Sequence, residues 1–110
     1  MLGNVTIQNT NFTNNYGAMI TLLSGNIALT GYPTTLVMQN CNFFNNAPYA
    51  KALIVVNQNC ATFIYNSYFL ENYSIARGSV LMADYQNTVN YFENCTFVNN
   101  SASVGGVFYT

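Results

Sequence analysis

The sequence predicts an all-β fold: a parallel β-helix, or solenoid, of about four coils of 25–31 residues, forming a single domain over residues 1–110. Three observations carry this. A nine-residue phrase recurs four times, as "IQNTNFTNN" (7–15), "MQNCNFFNN" (38–46), "IYNSYFLEN" (64–72) and "FENCTFVNN" (92–100). Short runs of β-formers fill the spaces between the phrases, and Asn, Gly, Ser or Pro clusters separate most of those runs.

Aligned, the phrases read apolar-x-Asn-(Thr/Cys/Ser)-x-Phe-x-x-Asn. The leading Asn falls at Asn9, Asn40, Asn66 and Asn94, with successive spacings of 31, 26 and 28 residues. A period in this range marks a stacked repeat architecture. Helical repeats need apolar residues at i, i+3 and i+4 over ten or so positions. Here the apolar runs are "GAMITLL", "NIAL", "TTLVM", "ALIVV", "ATFIY", "SVLMA" and "TVNYF", rich in Val, Ile, Tyr, Phe and Thr. Three short strands per repeat fit one coil of a parallel β-helix, each strand lying about 4.8 Å from its equivalent in the next coil.

Within that frame each position of the phrase has an expected task. Asn takes turn dihedrals that β-branched residues avoid, and stacked amides pass hydrogen bonds along a column. Asn9, Asn40, Asn66 and Asn94 are therefore expected to form an inner asparagine ladder, and Asn15, Asn46, Asn72 and Asn100 to serve a second turn. Alternation then points Thr10, Cys41, Ser67 and Cys95 inward, the next residue outward, and Phe12, Phe43, Phe69 and Phe97 inward as an aromatic stack along the axis.

The second half of each repeat is a weaker echo: "NNYGAMI", "NNAPYAKALI", "NYSIARGSVL" and "NNSASVGGVFY" run from Asn through small or polar residues to an apolar strand. These segments resemble polymorphic outer-membrane protein repeats, whose hallmarks are FxxN and GGAI. "FVNNSASVGGVFY" (97–109) is a close match, 69–81 keeps one glycine, Gly78, and 43–54 has none. The resemblance spans essentially the whole chain. It implies a right-handed, pectin-lyase-like β-helix on a secreted or surface-exposed protein, often an adhesin or an autotransporter passenger.

Composition narrows the function. Apolar residues make up 51% and charged residues 5%, and the net charge is −1 with only Lys51 and Arg77 basic. That argues against a nucleic-acid footprint and against a polybasic membrane anchor. The longest clear apolar run, Ala52 to Val56, is far short of a membrane span, and "MLGNVTIQNT" has neither the basic nor the apolar region of a signal peptide. Asn supplies much of the polar coat, with 19 residues beside 11 Thr and 6 Ser.

No catalytic or metal site, and no cofactor, is expected. There is no His, the three cysteines Cys41, Cys60 and Cys95 form no CxxC pair, and zinc binding and Cys–His catalysis are both disfavoured. Cys41 and Cys95 share a column two coils apart, beyond disulfide reach. Glycosidic acid–base chemistry needs two converging carboxylates. Glu71, Asp84 and Glu93 fall in different columns or at a turn.

Five Asn-x-Ser/Thr sequons occur, at Asn4, Asn11, Asn72, Asn94 and Asn99. The register favours Asn11, Asn99 and Asn4 as glycosylation sites, with Asn94 hidden on the inner ladder. Finally, a second copy following Thr110 would place its Asn9 25 residues after Asn94, in keeping with the internal spacings. The chain is thus expected either to adjoin further coils of a longer β-helix or to stack head to tail with copies of itself. The expected role is an extracellular or cell-surface structural or adhesive rod, glycan-coated. The alternatives are a carbohydrate-binding or passenger adhesin module using its surface Tyr, and a degenerate polysaccharide lyase or hydrolase.

Overall fold

The structure, a computed structural model, describes residues 4–16, 20–22, 34–47, 52–83 and 88–109. The run "NIAL" and residues Lys51 and Asp84 lie outside the described residues. The chain is all-β, with parallel strands in several sheets.

Each phrase begins on the last residues of a longer strand: β1 (Asn4–Gln8), β4 (Thr34–Gln39), β7 (Cys60–Tyr65) and β11 (Val89–Glu93). These pair in the order β1-β4-β7-β11. The centre of the phrase forms β2 (Asn11–Thr13), β5 (Asn42–Phe44), β8 (Tyr68–Leu70) and β12 (Thr96–Val98), which make a second parallel sheet in the same repeat order. A third sheet joins β3 (Ile20–Leu22), β6 (Ile54–Val56), β10 (Leu81–Met82) and β14 (Phe108–Tyr109). The last two repeats add a short pair, β9 (Tyr73–Arg77) with β13 (Ser101–Val104), whose register shifts between Ala102 and Val104.

Registers follow the sequence repeat. Ile7 pairs with Met38, Met38 with Ile64, and Ile64 with Phe92. Phe12 pairs with Phe43, Phe43 with Phe69, and Phe69 with Phe97. Equivalent side chains therefore lie over one another. Parallel pairing without a register shift needs corners of constant shape, and left-handed backbone provides them. The φ angles are +53, +55, +52 and +53° at Asn9, Asn40, Asn66 and Asn94, and +56, +53, +54 and +53° at Asn14, Asn45, Glu71 and Asn99. Asn is the side chain that enters this region at least cost after Gly.

In the second half of the repeat glycine takes over. Gly78 has φ +62°, and a Cβ there would meet the Leu81 carbonyl oxygen at 2.5 Å. Gly105 has φ +79° and the same clearance from the Phe108 carbonyl oxygen. These corners admit only glycine, which is the physical content of the glycine-containing echo.

The core lies between the sheets and is fullest in the two middle repeats. Leu36, Met38, Phe43, Ile54, Ile64 and Phe69 are all buried. Their equivalents in the terminal repeats, Val5, Ile7 and Phe12 on one side and Phe92 and Phe97 on the other, are only partly covered.

Candidate functional site

The most highly organised polar feature is a buried column of asparagines, and it is the trailing column. Asn46 and Asn72 are 1% and 0% exposed. Nδ2 of Asn15 donates to Oδ1 of Asn46 at 3.1 Å, Asn46 to Asn72 at 3.0 Å, and Asn72 to Asn100 at 2.8 Å. The backbone N–H of Asn15, Asn46 and Asn72 donates to the same oxygens. Each Nδ2 of Asn46, Asn72 and Asn100 also donates to the carbonyl of the phenylalanine one repeat earlier: Phe12, Phe43 and Phe69. Every buried amide is thus tied to both neighbouring repeats, which removes the cost of an unpaired buried polar group.

The leading column behaves differently. Asn9, Asn40, Asn66 and Asn94 were expected inside, but all four are exposed. The reason is the corner itself. The leading Asn is the left-handed residue of its turn, and the chain re-enters the core only at the next position, where Cys41 and Ser67 are buried. The second corner repeats the logic, because Asn14, Asn45, Glu71 and Asn99 take the left-handed position and the following Asn turns inward. The paired "NN" of the phrase was the available signal: one Asn for the corner, one for the interior. The outer columns still carry amide contacts, from Asn94 Nδ2 to Asn66 Oδ1 at 2.6 Å, Asn42 to Asn11 at 2.9 Å and Asn45 to Asn14 at 2.8 Å.

Beside the buried ladder runs the aromatic stack. Successive centroids of Phe12, Phe43, Phe69 and Phe97 are 4.5, 4.9 and 5.1 Å apart with nearly parallel rings. This separation follows from the strand spacing, which forces like rings face to face. Phe92 and Phe108 close against Phe97 at the far end, at 5.7 and 5.3 Å. A second polar pair lies within the first sheet, where Thr62 donates to Oδ1 of Asn90 at 2.8 Å.

The sequon asparagines separate cleanly. Asn4, Asn11 and Asn99 are exposed. Asn94 is exposed too, contrary to its expected place on an inner ladder. Asn72 is fully buried, with its amide committed to Phe43 and Asn100.

The remaining chemistry is sparse. Glu71 occupies the second corner column, whereas Glu93 sits in register with Tyr65 at the end of the first sheet. The Arg77 guanidinium lies 4.9 Å from the Tyr109 ring centroid. Among the described residues no cluster of His, Cys, Asp or Glu could hold a metal ion. All three cysteines are free thiols. Cys41 donates through Sγ to the Ile7 and Gln39 carbonyls, the place Ser67 fills with a bond to the Tyr65 carbonyl. Burial pushes the Cys95 thiol up, against smaller opposing effects of backbone groups at Ser67 and Glu93. Among the described residues no helix is long and apolar enough to cross a membrane.

No protein-family model matches the chain, and no solved structure matches it. It is similar to the metabotropic glutamate receptor-like protein R of Dictyostelium discoideum, being 30% identical over 110 residues. The match covers 94% of this chain and 7% of that protein, so the chain spans a small fraction of its relative's length.

Proposed function

We propose that this chain is a right-handed parallel β-helix whose task is mechanical: an extracellular or cell-surface structural or adhesive rod element that continues through its ends into further coils. The observation that carries this reading is the contrast in burial along the phenylalanine stack. Phe43 and Phe69 are 0% exposed, while Phe12 and Phe97, in the same column, are only partly buried. A solenoid that stops needs polar terminal units, and both terminal repeats here carry the same apolar inward pattern as the middle ones. The fourfold register and the absence of converging carboxylates among the described residues agree with a structural task. The receptor-like name of the relative supports a surface location. Exposed sequons at Asn4, Asn11, Asn94 and Asn99 fit a glycan coat on a chain with so few charges.

Electron microscopy of the purified protein tests this reading. Rods whose axial repeat is about 19 Å, four layers of strand spacing, or a simple multiple of it, are expected. Discrete particles at all concentrations would contradict it.

A second reading, glycan binding by a lateral face, is favoured by one observation. Phe44, Tyr68 and Tyr73 are 42, 51 and 50% exposed, on successive strands β5, β8 and β9. Glycan-array binding lost in a Tyr68→Ala/Tyr73→Ala variant would support it.

A further inference from the structure

We propose that the exposed apolar patch on the outer face of the second sheet, made by Phe44, Tyr68, Leu70 and Val98, is the seat of the chain's own N-linked oligosaccharides, carried by Asn11 and Asn99. This rests on the extracellular reading and names the sugar that the lateral face holds.

The patch follows from the register. Alternation turns Asn11, Asn42, Tyr68 and Thr96 outward in one column, and Thr13, Phe44, Leu70 and Val98 outward in the next. Phe44 and Tyr68 are 42 and 51% exposed, although both lie in the middle repeats with a paired strand on either side. They sit diagonally, in adjacent repeats and two positions apart along the strand. Leu70, half-buried, pairs with both Phe44 and Val98 and joins the group into one surface. Contiguous apolar surface of this kind marks a place that something covers.

The sequons identify the cover. Asn11 is exposed on the same face, one repeat before Phe44 and one column away, about 8 Å at Cα. Asn99 is exposed at the second corner, one residue past Val98. The two attachment points thus stand on opposite sides of the patch along the stack. Oδ1 of Asn11 accepts from Asn42 Nδ2 at 2.9 Å, a bond that engages the oxygen and not the nitrogen that carries a sugar. The other sequons differ. Asn72 is buried with its nitrogen bonded, Asn94 gives its nitrogen to Asn66, and Asn4 stands on the first sheet. A sugar also suits the patch chemically. A pyranose packs its C–H face on an aromatic ring, and its edge hydroxyls meet amides such as those of Asn42 and Asn45, both exposed at the border.

Attachment is a group transfer. The asparagine Nδ2 forms a C–N bond to the anomeric carbon of an oligosaccharide held on a lipid pyrophosphate. The bond from that carbon to the pyrophosphate oxygen breaks, the lipid pyrophosphate leaves, and the nitrogen gives up one proton. Thr13 and Ser101 complete the two sequons.

Thr13→Ala with Ser101→Ala removes both sequons and keeps both asparagines. The test compares this variant with the parent, each secreted by a eukaryotic host behind that host's leader and each also made in bacteria without sugars. Peptide mass spectrometry of the secreted parent should find sugar on Asn11 and Asn99 and none on Asn72. In urea unfolding the secreted parent should exceed the secreted variant about fivefold in its folding equilibrium constant, and the two sugar-free chains should match. In a Phe44→Ser/Tyr68→Ser background, which changes exposed positions only, that gain should vanish. Bare Asn11 and Asn99 in the secreted parent, no gain, or a gain that persists in this background would overturn the seat and leave the extracellular reading intact. Protein from its natural source with every sequon bare would overturn the seat and the glycan coat together.

Discussion

Two columns of asparagine run through the same four repeats, six residues apart, and the same side chain does opposite work in each. In the trailing column the amide is the point: it faces the core, and Asn46 and Asn72 spend all their polar capacity on neighbouring repeats. In the leading column the backbone is the point: Asn9, Asn40, Asn66 and Asn94 hold left-handed corners and leave their side chains at the surface. The difference teaches that a recurring residue in a stacked fold has to be read with its dihedral and its facing, because recurrence alone does not say which of its groups is used.

Substitutions can break or sharpen this contrast. The largest effect is expected from Asn72→Leu. It strands the N–H of Asn46, one of its two Nδ2 hydrogens and the Phe43 carbonyl in or near the core, and leaves Oδ1 of Asn100 with the backbone N–H of residue 72 alone. A loss of about 4 kcal/mol or more should be read in urea unfolding. A loss under 1 kcal/mol would mean that water or rearrangement replaces the ladder.

Phe43→Ala comes next, at about 3–5 kcal/mol. Phe12→Ala, in the same column but half-covered, should cost clearly less. Equal costs would show that the open end is covered in solution.

In the leading column the chemistry of the amide should be dispensable and the dihedral should not. Asn66→Gly is expected to be within a few tenths of a kcal/mol of the parent, because Gly adopts φ +52° freely. Asn66→Val is expected to cost about 1–2 kcal/mol. Glu71 is the one second-corner residue that is not Asn, at φ +54°. Glu71→Asn should therefore stabilise by about 0.5–1 kcal/mol, measured by thermal unfolding.

The smallest effect concerns Cys95. Its thiol is raised by burial, so the folded state holds the proton more tightly than the unfolded chain. Stability should fall slightly as pH rises from the unfolded thiol pKa through the folded one. Thiol-reagent kinetics should show a midpoint above that of free cysteine.

The parallel strands, their registers and the facing of the four phenylalanines were legible in the sequence because alternation and the repeat constrain them together. From Phe12, counting by two and by repeat places most of the first two sheets. The inner ladder was misplaced because corners break alternation. At Asn9 and at Asn14 the left-handed residue interrupts the in–out count, and nothing in composition distinguishes an Asn used for φ from an Asn used for its amide. What does distinguish them is the neighbour: Asn9 is followed by Thr10, Asn40 by Cys41 and Asn66 by Ser67, each turned toward the core, whereas Asn14 and Asn45 are followed by a second Asn.

The most direct test of the account is the hydrogen exchange of side-chain amides, followed by nuclear magnetic resonance. The Nδ2 groups of Asn46 and Asn72 should exchange slowly, at rates set by opening of the core, while those of Asn9 and Asn40 should exchange at rates near those of exposed amides. Rapid exchange at Asn46 and Asn72, or protection of the leading column in their place, would contradict the claim that the trailing asparagines form the buried ladder.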